Sequence, residues 1–255
     1  MSALVHEGRK TKAIGVILPV HNEEELLHDA LIAIDRAFSR VGSDGIACGS
    51  VIVLDACSDS SAVIAKRWVD ALRRRDGRHK PMVVWNHSAS VGRARKTGAN
   101  ALLRMWAHID LRHIWLASTD GDSRVPSDWL VTQLHAHESG TDLWTGRVIV
   151  DDWSHYQEAT ARRWREAYDN EDVPIHGANL GFNARVYVDA GGFTTQATGE
   201  DRALYQAIVA RGGRTYHDSE VKVVTSGRRK GRAPMGFSHA LTSVEAGLRA
   251  EEMIA

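Results

Sequence analysis

Apolar runs of strand length alternate with segments of helical periodicity through the first half of the chain. Residues 13–20 form an almost continuous apolar run, whereas apolar residues between 23 and 40 recur every three or four positions. The first pattern is typical of a buried strand and the second of an amphipathic helix. The alternation continues with predicted strands at 50–56, 81–86 and 113–118 and predicted helices at 59–75 and 91–107. Strands that alternate with helices predict right-handed crossovers and a mostly parallel sheet covered on both faces.

The pattern becomes less regular after about residue 140. It predicts strands at 143–150 and 220–225 and helices at 156–168, 200–211 and 239–253, with a glycine-rich segment at 176–193. There is no low-complexity linker and no internal repeat. We therefore predict one domain of the α/β class over residues 13–255, preceded by a polar tail at 1–12 and closed by a terminal helix at 240–255.

Composition narrows the class of protein. The chain has 255 residues, 43% of them hydrophobic, and its 32 basic residues balance its 32 acidic ones. A neutral chain has no whole-molecule field for nucleic acid, so we predict no nucleic-acid partner. No apolar run approaches the ~20 residues of a spanning helix, and two cysteines make no disulfide framework. We predict a cytoplasmic protein without an integral membrane segment; oligomerisation is left open.

The turn after the first strand excludes two common nucleotide-binding motifs. The strand runs into Pro19, His21, Asn22 and Glu23, and three successive glutamates follow from Glu23 onwards. A dinucleotide fold needs a glycine-rich turn here, and a P-loop needs its own glycine and lysine motif. Carboxylates at a helix start would repel a phosphate. A bound nucleotide should therefore present its base or ribose to this turn.

Three further positions carry candidate chemistry. Asp120 and Asp122 flank a glycine directly after the fourth strand, and such a pair suits Mg²⁺ or Mn²⁺ carrying a diphosphate. Asp55 ends the second strand and could accept a hydrogen bond from the imide of a base. Arg93 and Arg95 follow the third strand and suit a diphosphate. The alternatives are an Asp-Gly turn, a turn or helix cap, and a solvated basic helix face, respectively.

The order of the motifs resembles glycosyltransferase family 2, which has the GT-A fold. The resemblance covers roughly residues 13 to 235, and each motif is weak alone, whereas the set in this order is specific. The motifs are Leu18-Pro19-Val20-His21-Asn22-Glu23, Val53-Leu54-Asp55, Gly92-Arg93-Ala94-Arg95, Asp120-Gly121-Asp122, Gly177-Ala178-Asn179-Leu180-Gly181-Phe182, Gly191-Gly192-Phe193 and Gly199-Glu200-Asp201.

The resemblance implies a role for each motif. Residues 13–122 would form a Rossmann-like nucleotide-binding half, in which the first turn and Asp55 hold the base and ribose. Residues 123–240 would form the acceptor and catalytic half. Asp122 and Asp120 would meet Mg²⁺ or Mn²⁺, and His217 is a candidate third ligand. Asp201 would be the catalytic base, with Glu200 as its neighbour. Gly177, Ala178 and Asn179 would line the pocket of the donor sugar and acceptor.

Two features remain open beside the resemblance. Arg228 and Arg229 lie on a basic, glycine-containing loop, which is either a lid over the diphosphate or a solvated loop. The family usually has an aromatic residue where His21 stands, and often Asp-Asp-Gly-Ser where this chain has Asp55-Ala56-Cys57-Ser58. The second difference loosens the assignment of uracil.

The resemblance implies a metal-dependent transferase that moves a sugar from a nucleoside diphosphate sugar to an acceptor hydroxyl with inversion. UDP is the favoured carrier over GDP, and the acceptor would be a small molecule, a glycan or a lipid-linked compound. Two other classes remain as alternatives. One is a catalytically silent nucleotide-sugar-binding or scaffold domain. The other is a sugar nucleotidyltransferase, which the acidic first turn disfavours. Retention of configuration also occurs in GT-A folds.

Overall fold

The computed structural model describes residues 9–42, 45–75, 77–171, 173–196, 198–229, 231 and 236–254. Most of the predicted tail at 1–12 lies outside these residues. The described residues form one sheet of seven strands in the order β3-β2-β1-β4-β6-β5-β7. The strands are β1 Ala13–Val20, β2 Ala47–Asp55, β3 His79–Asn86, β4 Ile114–Ser118, β5 Leu143–Val150, β6 Leu180–Asn183 and β7 Thr215–Thr225.

The sheet is parallel except at one strand. β1 pairs in parallel with β2 and β4, β2 with β3, and β5 with β7. β6 is antiparallel to both of its neighbours, β4 and β5. The predicted α/β class and mostly parallel sheet are therefore confirmed.

Helices cover both faces of the sheet. They are α1 Leu27–Arg40, α2 Ser61–Arg75, α3 Val91–Met105, α4 Trp129–Glu138, α5 Glu158–Asp169, α6 Ala184–Asp189, α7 Glu200–Val209 and α8 Phe237–Ile254. Alternate residues of β1 enter opposite cores: Ile14, Val16 and Leu18 pack under α1 and α2, and Ala13 and Ile17 pack under α3. No helix of the described residues is long and apolar enough to cross a bilayer.

Two differences from the predicted elements matter for the site. The first helix begins at Leu27 rather than near residue 23, because Asn22 has a positive φ of 54° and Glu23 begins a turn. The carbonyl of Glu23 accepts hydrogen bonds from the N–H groups of Leu26 and Leu27, at 3.1 and 2.8 Å. The second difference is β6, four residues inside the glycine-rich segment that joins the two parallel parts of the sheet.

The carboxyl ends of β1, β2 and β4 meet at one edge of the sheet because these strands are parallel. Val20, Asp55 and Ser118 end the three strands, and the predicted first turn and acidic pair follow at that edge. Open α/β sheets bind their ligands at this edge.

Candidate active site

A cavity of about 440 Å³ opens at the carboxyl edge of the sheet. It brings together twelve of the residues singled out in the sequence. These are Pro19, His21, Glu23, Asp55, Arg95, Asp120, Asp122, Gly177, Ala178, Glu200, Asp201 and Arg228. The elements that supply them are the ends of β1, β2 and β4, helix α3, the turn before β6, the start of α7 and the loop after β7.

The turn after β1 is fixed by hydrogen bonds to the turn after β2. Nδ1 of His21 lies 2.6 Å from the carbonyl oxygen of Asp55, so it donates to that carbonyl. The side-chain oxygen of Asn22 accepts from the N–H of Ser58 at 2.8 Å. Asn22 therefore supports the floor of the cavity rather than lining it, whereas His21 faces the cavity.

Asp55 shapes the wall of the cavity. Its carboxylate accepts from the backbone N–H groups of Ser88, Ala89 and Ser90, at 2.8, 3.1 and 2.8 Å. Ala89 has a positive φ of 49°, so the turn depends on these bonds. The structure thus gives Asp55 a positioning role in the turn before α3, and its contact with a base stays a prediction.

Arg95 is buried, with 3% of its surface exposed, and it bridges two parts of the site. One guanidinium nitrogen pairs with Glu200, another pairs with Asp120, and Nε donates to the hydroxyl of Ser118 at 3.1 Å. Gly177 leaves room for this group, because a Cβ there would lie about 2.5 Å from Nη1 of Arg95. Arg95 is therefore an internal bridge between β4 and α7, and its contact with a diphosphate stays a prediction.

Arg228 makes a second bridge. Its guanidinium binds the two oxygens of Glu23 at 2.6 and 2.7 Å and lies 2.8 Å from Oδ2 of Asp122. The basic loop after β7 is thereby tied to the turn after β1. Burial raises the pKa of both Asp120 and Asp122, since the charged form of each carboxylate loses its hydration there.

The first turn of α7 presents two carboxylates with different surroundings. Glu200 is 2% exposed, and burial raises its pKa although Arg95 lies beside it. Asp201 is half-buried and lines the cavity. Its Oδ2 accepts from the N–H of Gly177 at 2.8 Å, and its Oδ1 accepts from the N–H of Arg202 at 2.7 Å. These two bonds fix the carboxylate of Asp201 at the cavity wall.

Four other predicted residues do not line the cavity. Asn179 is fully buried and accepts from Nε1 of Trp129 at 2.8 Å, so it holds the turn before β6. Nδ1 of His217 lies 3.0 Å from the hydroxyl of Thr145, on β5. Arg229 pairs with Glu245 on α8, and Arg93 is exposed on α3. His217 and Arg229 thus have partners outside the cavity, and their roles as metal ligand and diphosphate contact stay predictions.

The donor atoms of the cavity fit a divalent cation that is shared with a ligand. Among the described residues, no three His, Cys, Asp or Glu side chains converge to hold a metal by themselves. Mg²⁺ at phosphate sites usually takes one or two carboxylates, with phosphates and waters completing its shell. Asp120 and Asp122 supply two such carboxylates.

Charge gives an independent reason for a cation. Six carboxylates and three guanidiniums lie among the described lining residues, which leaves an excess of three negative charges. A nucleoside diphosphate is itself an anion, so Coulomb repulsion opposes its entry into this cavity. A divalent cation beside Asp120 and Asp122 would remove most of that repulsion.

Among the lining residues that were not predicted from the sequence are two with aromatic rings, His176 and Phe237. His176 directly precedes the glycine of the Gly177-Ala178-Asn179 motif, which was the available signal. Phe237 is the first residue of α8, and no recognisable motif surrounds it in the sequence.

Comparison with solved structures identifies the fold. The mannosyltransferase PcManGT from Pyrobaculum calidifontis, in complex with GDP-Man and Mn²⁺, has a TM-score of 0.60 at 20% identity. S. aureus TarS 1-349, in complex with UDP, has a TM-score of 0.59 at 13% identity. M. tuberculosis glucosyl-3-phosphoglycerate synthase, in complex with Mn²⁺, UDP and phosphoglyceric acid, has a TM-score of 0.53 at 14% identity. The protein therefore has the GT-A-type fold of these glycosyltransferases, as the resemblance implied.

The matches cover most of this chain but a smaller share of the neighbouring chains, which are longer. They include 93%, 85% and 92% of this chain, in the order given, and 61%, 61% and 78% of the neighbouring chains. The chain spans about three fifths of the length of the first two. No family model and no curated protein sequence matches it. At these identities the likeness establishes the fold, while membership of family 2 stays a prediction.

Proposed function

We propose that the protein is a metal-dependent glycosyltransferase that moves a sugar from a nucleoside diphosphate sugar to an acceptor hydroxyl. The observation that carries the proposal is the content of one cavity. It holds a carboxylate pair suited to a diphosphate-bound cation, Asp120 and Asp122, and a separately held carboxylate, Asp201. Neighbours of the same fold were solved with UDP, GDP-Man and Mn²⁺. UDP is the carrier we favour. We also propose a cytoplasmic location, because two cysteines in the sequence are too few for a disulfide framework.

On the donor side, the chain would bind the nucleotide at the carboxyl ends of β1 and β2. His21 faces the cavity and can lie against the base, and the N–H groups around Asp55 hold the wall beside it. Asp122 and Asp120 would hold Mg²⁺ or Mn²⁺, which as a Lewis acid neutralises the departing diphosphate. Arg228 lies next to Asp122 and can turn its guanidinium to the same phosphates.

On the acceptor side, Asp201 would take the proton of the attacking hydroxyl. The N–H groups of Gly177 and Arg202 fix its carboxylate and leave its remaining lone pairs toward the cavity. Glu200, in the first turn of α7, has a positioning role. It holds Arg95, and through Arg95 it fixes the start of α7 relative to Asp120. A single base opposite the leaving group predicts inversion, which the anomeric configuration of the product tests.

Nucleotide binding tests the donor site directly. We expect titration calorimetry with UDP, GDP and CDP to show one nucleotide that binds tightly in Mn²⁺ and at least tenfold more weakly without it. Asp122→Ala should remove this metal dependence, because it deletes a carboxylate that would hold the cation. Asp29→Asn is the matched control, since its carboxylate is exposed on α1. A folded protein that binds none of the three nucleotides with Mn²⁺ present contradicts the proposal.

Turnover separates an active enzyme from a silent binding domain. We expect Asp201→Asn to retain the affinity for the nucleotide and to lower the hydrolysis or transfer of a matching nucleotide sugar by about 10²- to 10⁴-fold, the usual contribution of a general base. The released nucleoside diphosphate is the readout. If wild type binds the nucleotide but does not turn over any donor, the silent nucleotide-sugar-binding domain is favoured. If wild type and Asp201→Asn turn over equally, Asp201 is not the base.

A further inference from the structure

Six aromatic rings form a connected cluster behind one wall of the cavity. Trp164 is the centre: its ring stacks on Tyr168 with 4.6 Å between centroids, and it lies 5.6 Å from Trp153 and 5.4 Å from Phe237. His176 lies 5.5 Å from Tyr168 and 6.0 Å from Phe237, and Tyr156 lies 5.9 Å from Trp153. Two members of this ring cluster, His176 and Phe237, line the cavity.

Four aliphatic side chains line the cavity together with these two rings, and Ser238 lies between Phe237 and Ala240 in the sequence. The aliphatic residues are Val148 on β5, Ile175 and Ala178 around the turn before β6, and Ala240 on α8. Val148 and Ala178 are buried, at 1% and 6% exposure. Removing an apolar ligand surface from water onto such a wall is favourable. This part of the cavity is therefore suited to an apolar group.

The apolar wall adjoins the proposed base. His176 precedes Gly177, whose N–H holds the carboxylate of Asp201, so both side chains belong to one turn of the wall. Nε2 of His176 is buried and has no hydrogen-bond partner. Burial lowers the pKa of His176 to about 4, so its imidazole is neutral near pH 7. The neutral ring of His176 adds no charge to this wall, so the wall suits an uncharged group of the acceptor.

Each arginine among the described lining residues already has a carboxylate partner. Among the described lining residues, Arg95 is held by Asp120 and Glu200, and Arg228 is held by Glu23 and Asp122. Arg202 lies 3.6 Å from Glu171. With the carboxylate of Asp201 beside them, a phosphate or carboxylate on the acceptor would meet net negative charge. A neutral acceptor avoids this repulsion.

We infer that the acceptor is an uncharged compound whose hydroxyl-bearing part carries an apolar ring or chain, which packs on Phe237 and the adjoining aliphatic wall. This inference rests on the proposed function. It assigns the substrate class of the same site.

The test measures the binding of four glucose derivatives to the nucleotide-loaded protein. The protein is first saturated with Mn²⁺ and the nucleotide that binds it, and is then titrated with each compound by calorimetry. The compounds are 4-nitrophenyl β-glucoside, octyl β-glucoside below its micelle concentration, methyl β-glucoside and glucose 1-phosphate. We expect at least one of the two apolar glucosides to bind at least tenfold more tightly than methyl β-glucoside or glucose 1-phosphate. The affinities of 4-nitrophenyl β-glucoside and octyl β-glucoside then show whether the wall prefers an aromatic ring or an alkyl chain.

Variants assign the preference to the wall. Phe237→Ser should reduce the advantage of the apolar glucoside at least fivefold, and Ala240→Asp should reduce it too, because it places a charge at an exposed position of the same wall. Ala240→Asp is informative even if Phe237→Ser does not fold. Trp85→Ser is the control, since Trp85 is an aromatic residue 58% exposed on β3 and away from the cavity.

The outcomes separate the two proposals. If neither nucleotide nor glucoside binds, the proposed function fails and the inference fails with it. If a nucleotide binds in a metal-dependent way but the apolar glucosides have no advantage, or glucose 1-phosphate binds best, the inference alone is overturned. An advantage that Phe237→Ser, Ala240→Asp and Trp85→Ser leave unchanged also overturns it, because the apolar group then binds elsewhere.

Discussion

Arg95 and Arg228 each lie between two carboxylates from different parts of the chain. Arg95 joins Asp120 to Glu200, and Arg228 joins Glu23 to Asp122. A charged group in such surroundings is tolerated only when it is paired and hydrogen-bonded. The two arginines thus hold four carboxylates of the site in a fixed arrangement before any ligand arrives.

The position of Arg228 predicts competition with a metal ion. Its guanidinium is 2.8 Å from Oδ2 of Asp122, where a bound cation would also be attracted. We expect Arg228→Gln to lower the free energy of unfolding by about 1–3 kcal/mol without metal, because Glu23 and Asp122 lose their counter-charge. Saturating Mn²⁺ should then raise the melting temperature more in this variant than in wild type, since the cation replaces the lost charge.

Thermal unfolding with and without Mn²⁺ measures this difference. Arg229→Gln is the matched control, because Arg229 is the adjacent arginine and pairs with Glu245 outside the cavity. Its response to Mn²⁺ should equal that of wild type. Equal responses of Arg228→Gln and wild type would show that Arg228 does not compete with the cation.

At the scale of elements, the turn at residues 177–179 connects the Arg95 bridge to the proposed base. Its first N–H holds Asp201 on α7, and its missing Cβ makes room for Arg95 on α3. Asn179 then ties the turn to β5 and β7 by donating to the carbonyls of Arg147 and Val221, at 2.7 and 3.0 Å. Small changes in this turn should therefore reach both the acidic pair and the base.

Gly177→Ala tests this connection. The added Cβ would lie about 2.5 Å from the guanidinium of Arg95, which is buried and held by two carboxylates and Ser118. We expect a loss of about 1–3 kcal/mol in the free energy of unfolding, the usual cost of overpacking. Urea denaturation measures it. Gly247→Ala is the control, because nothing lies within 4 Å of a Cβ at this position in α8. A loss no larger than in the control would show that Arg95 has room to move.

The elements of the first half could be predicted because each has a regular pattern. The strand predicted at 13–20 agrees with β1, and helix α3 begins at Val91 as predicted. β6 could not be predicted, since Leu180–Asn183 is only four residues long, contains a glycine and is buried on both faces, so it has no alternation. The first half of β7 was not predicted because most of residues 215–220 are polar and exposed at the edge of the sheet, so no apolar run marks them.

The site was predictable as a set of residues but not as a set of contacts. Motif order placed Asp120, Asp122 and Asp201 at one cavity. Motif order could not show that Arg95 points inward. A basic residue in the first turns of a helix gives the same sequence pattern whether it faces a ligand or a buried carboxylate. The contacts of Asn179 were not predictable either, because an asparagine amide can hold a turn as well as bind a ligand.

At the scale of the whole molecule, one buried histidine links three distant segments. His137 on α4 is fully buried, and its Nδ1 and Nε2 lie 2.9 Å from the hydroxyl of Thr11 and 3.0 Å from Nδ2 of Asn183. The amide of Asn183 donates, so Nε2 must accept and carries no proton. Burial lowers the pKa of His137 to about 4 from its ordinary 6.5, which agrees with a neutral ring.

This histidine predicts a pH dependence of stability. Between pH 6.5 and about 4 the unfolded chain binds a proton at residue 137 that the folded protein does not, so stability falls as the pH is lowered through this window. The contribution is about 3 kcal/mol at pH 4, from roughly 1.4 kcal/mol per pKa unit. Urea denaturation at several pH values measures it. His137→Gln should reduce the fall, while His28→Gln should not, because His28 is exposed. An unchanged pH profile in His137→Gln would assign the effect to other groups.

The antiparallel strand β6 has a consequence for folding during synthesis on the ribosome. β4 and β5 both depend on β6 as their shared neighbour, yet β6 is translated about 30 residues after β5 ends. Translation at roughly 5–20 residues per second leaves an interval of a few seconds before β6 emerges. During it, the apolar strands β4 and β5 have open edges that can pair with other chains. Chaperone capture or aggregation of nascent chains should therefore peak at lengths between the synthesis of β5 and that of β6.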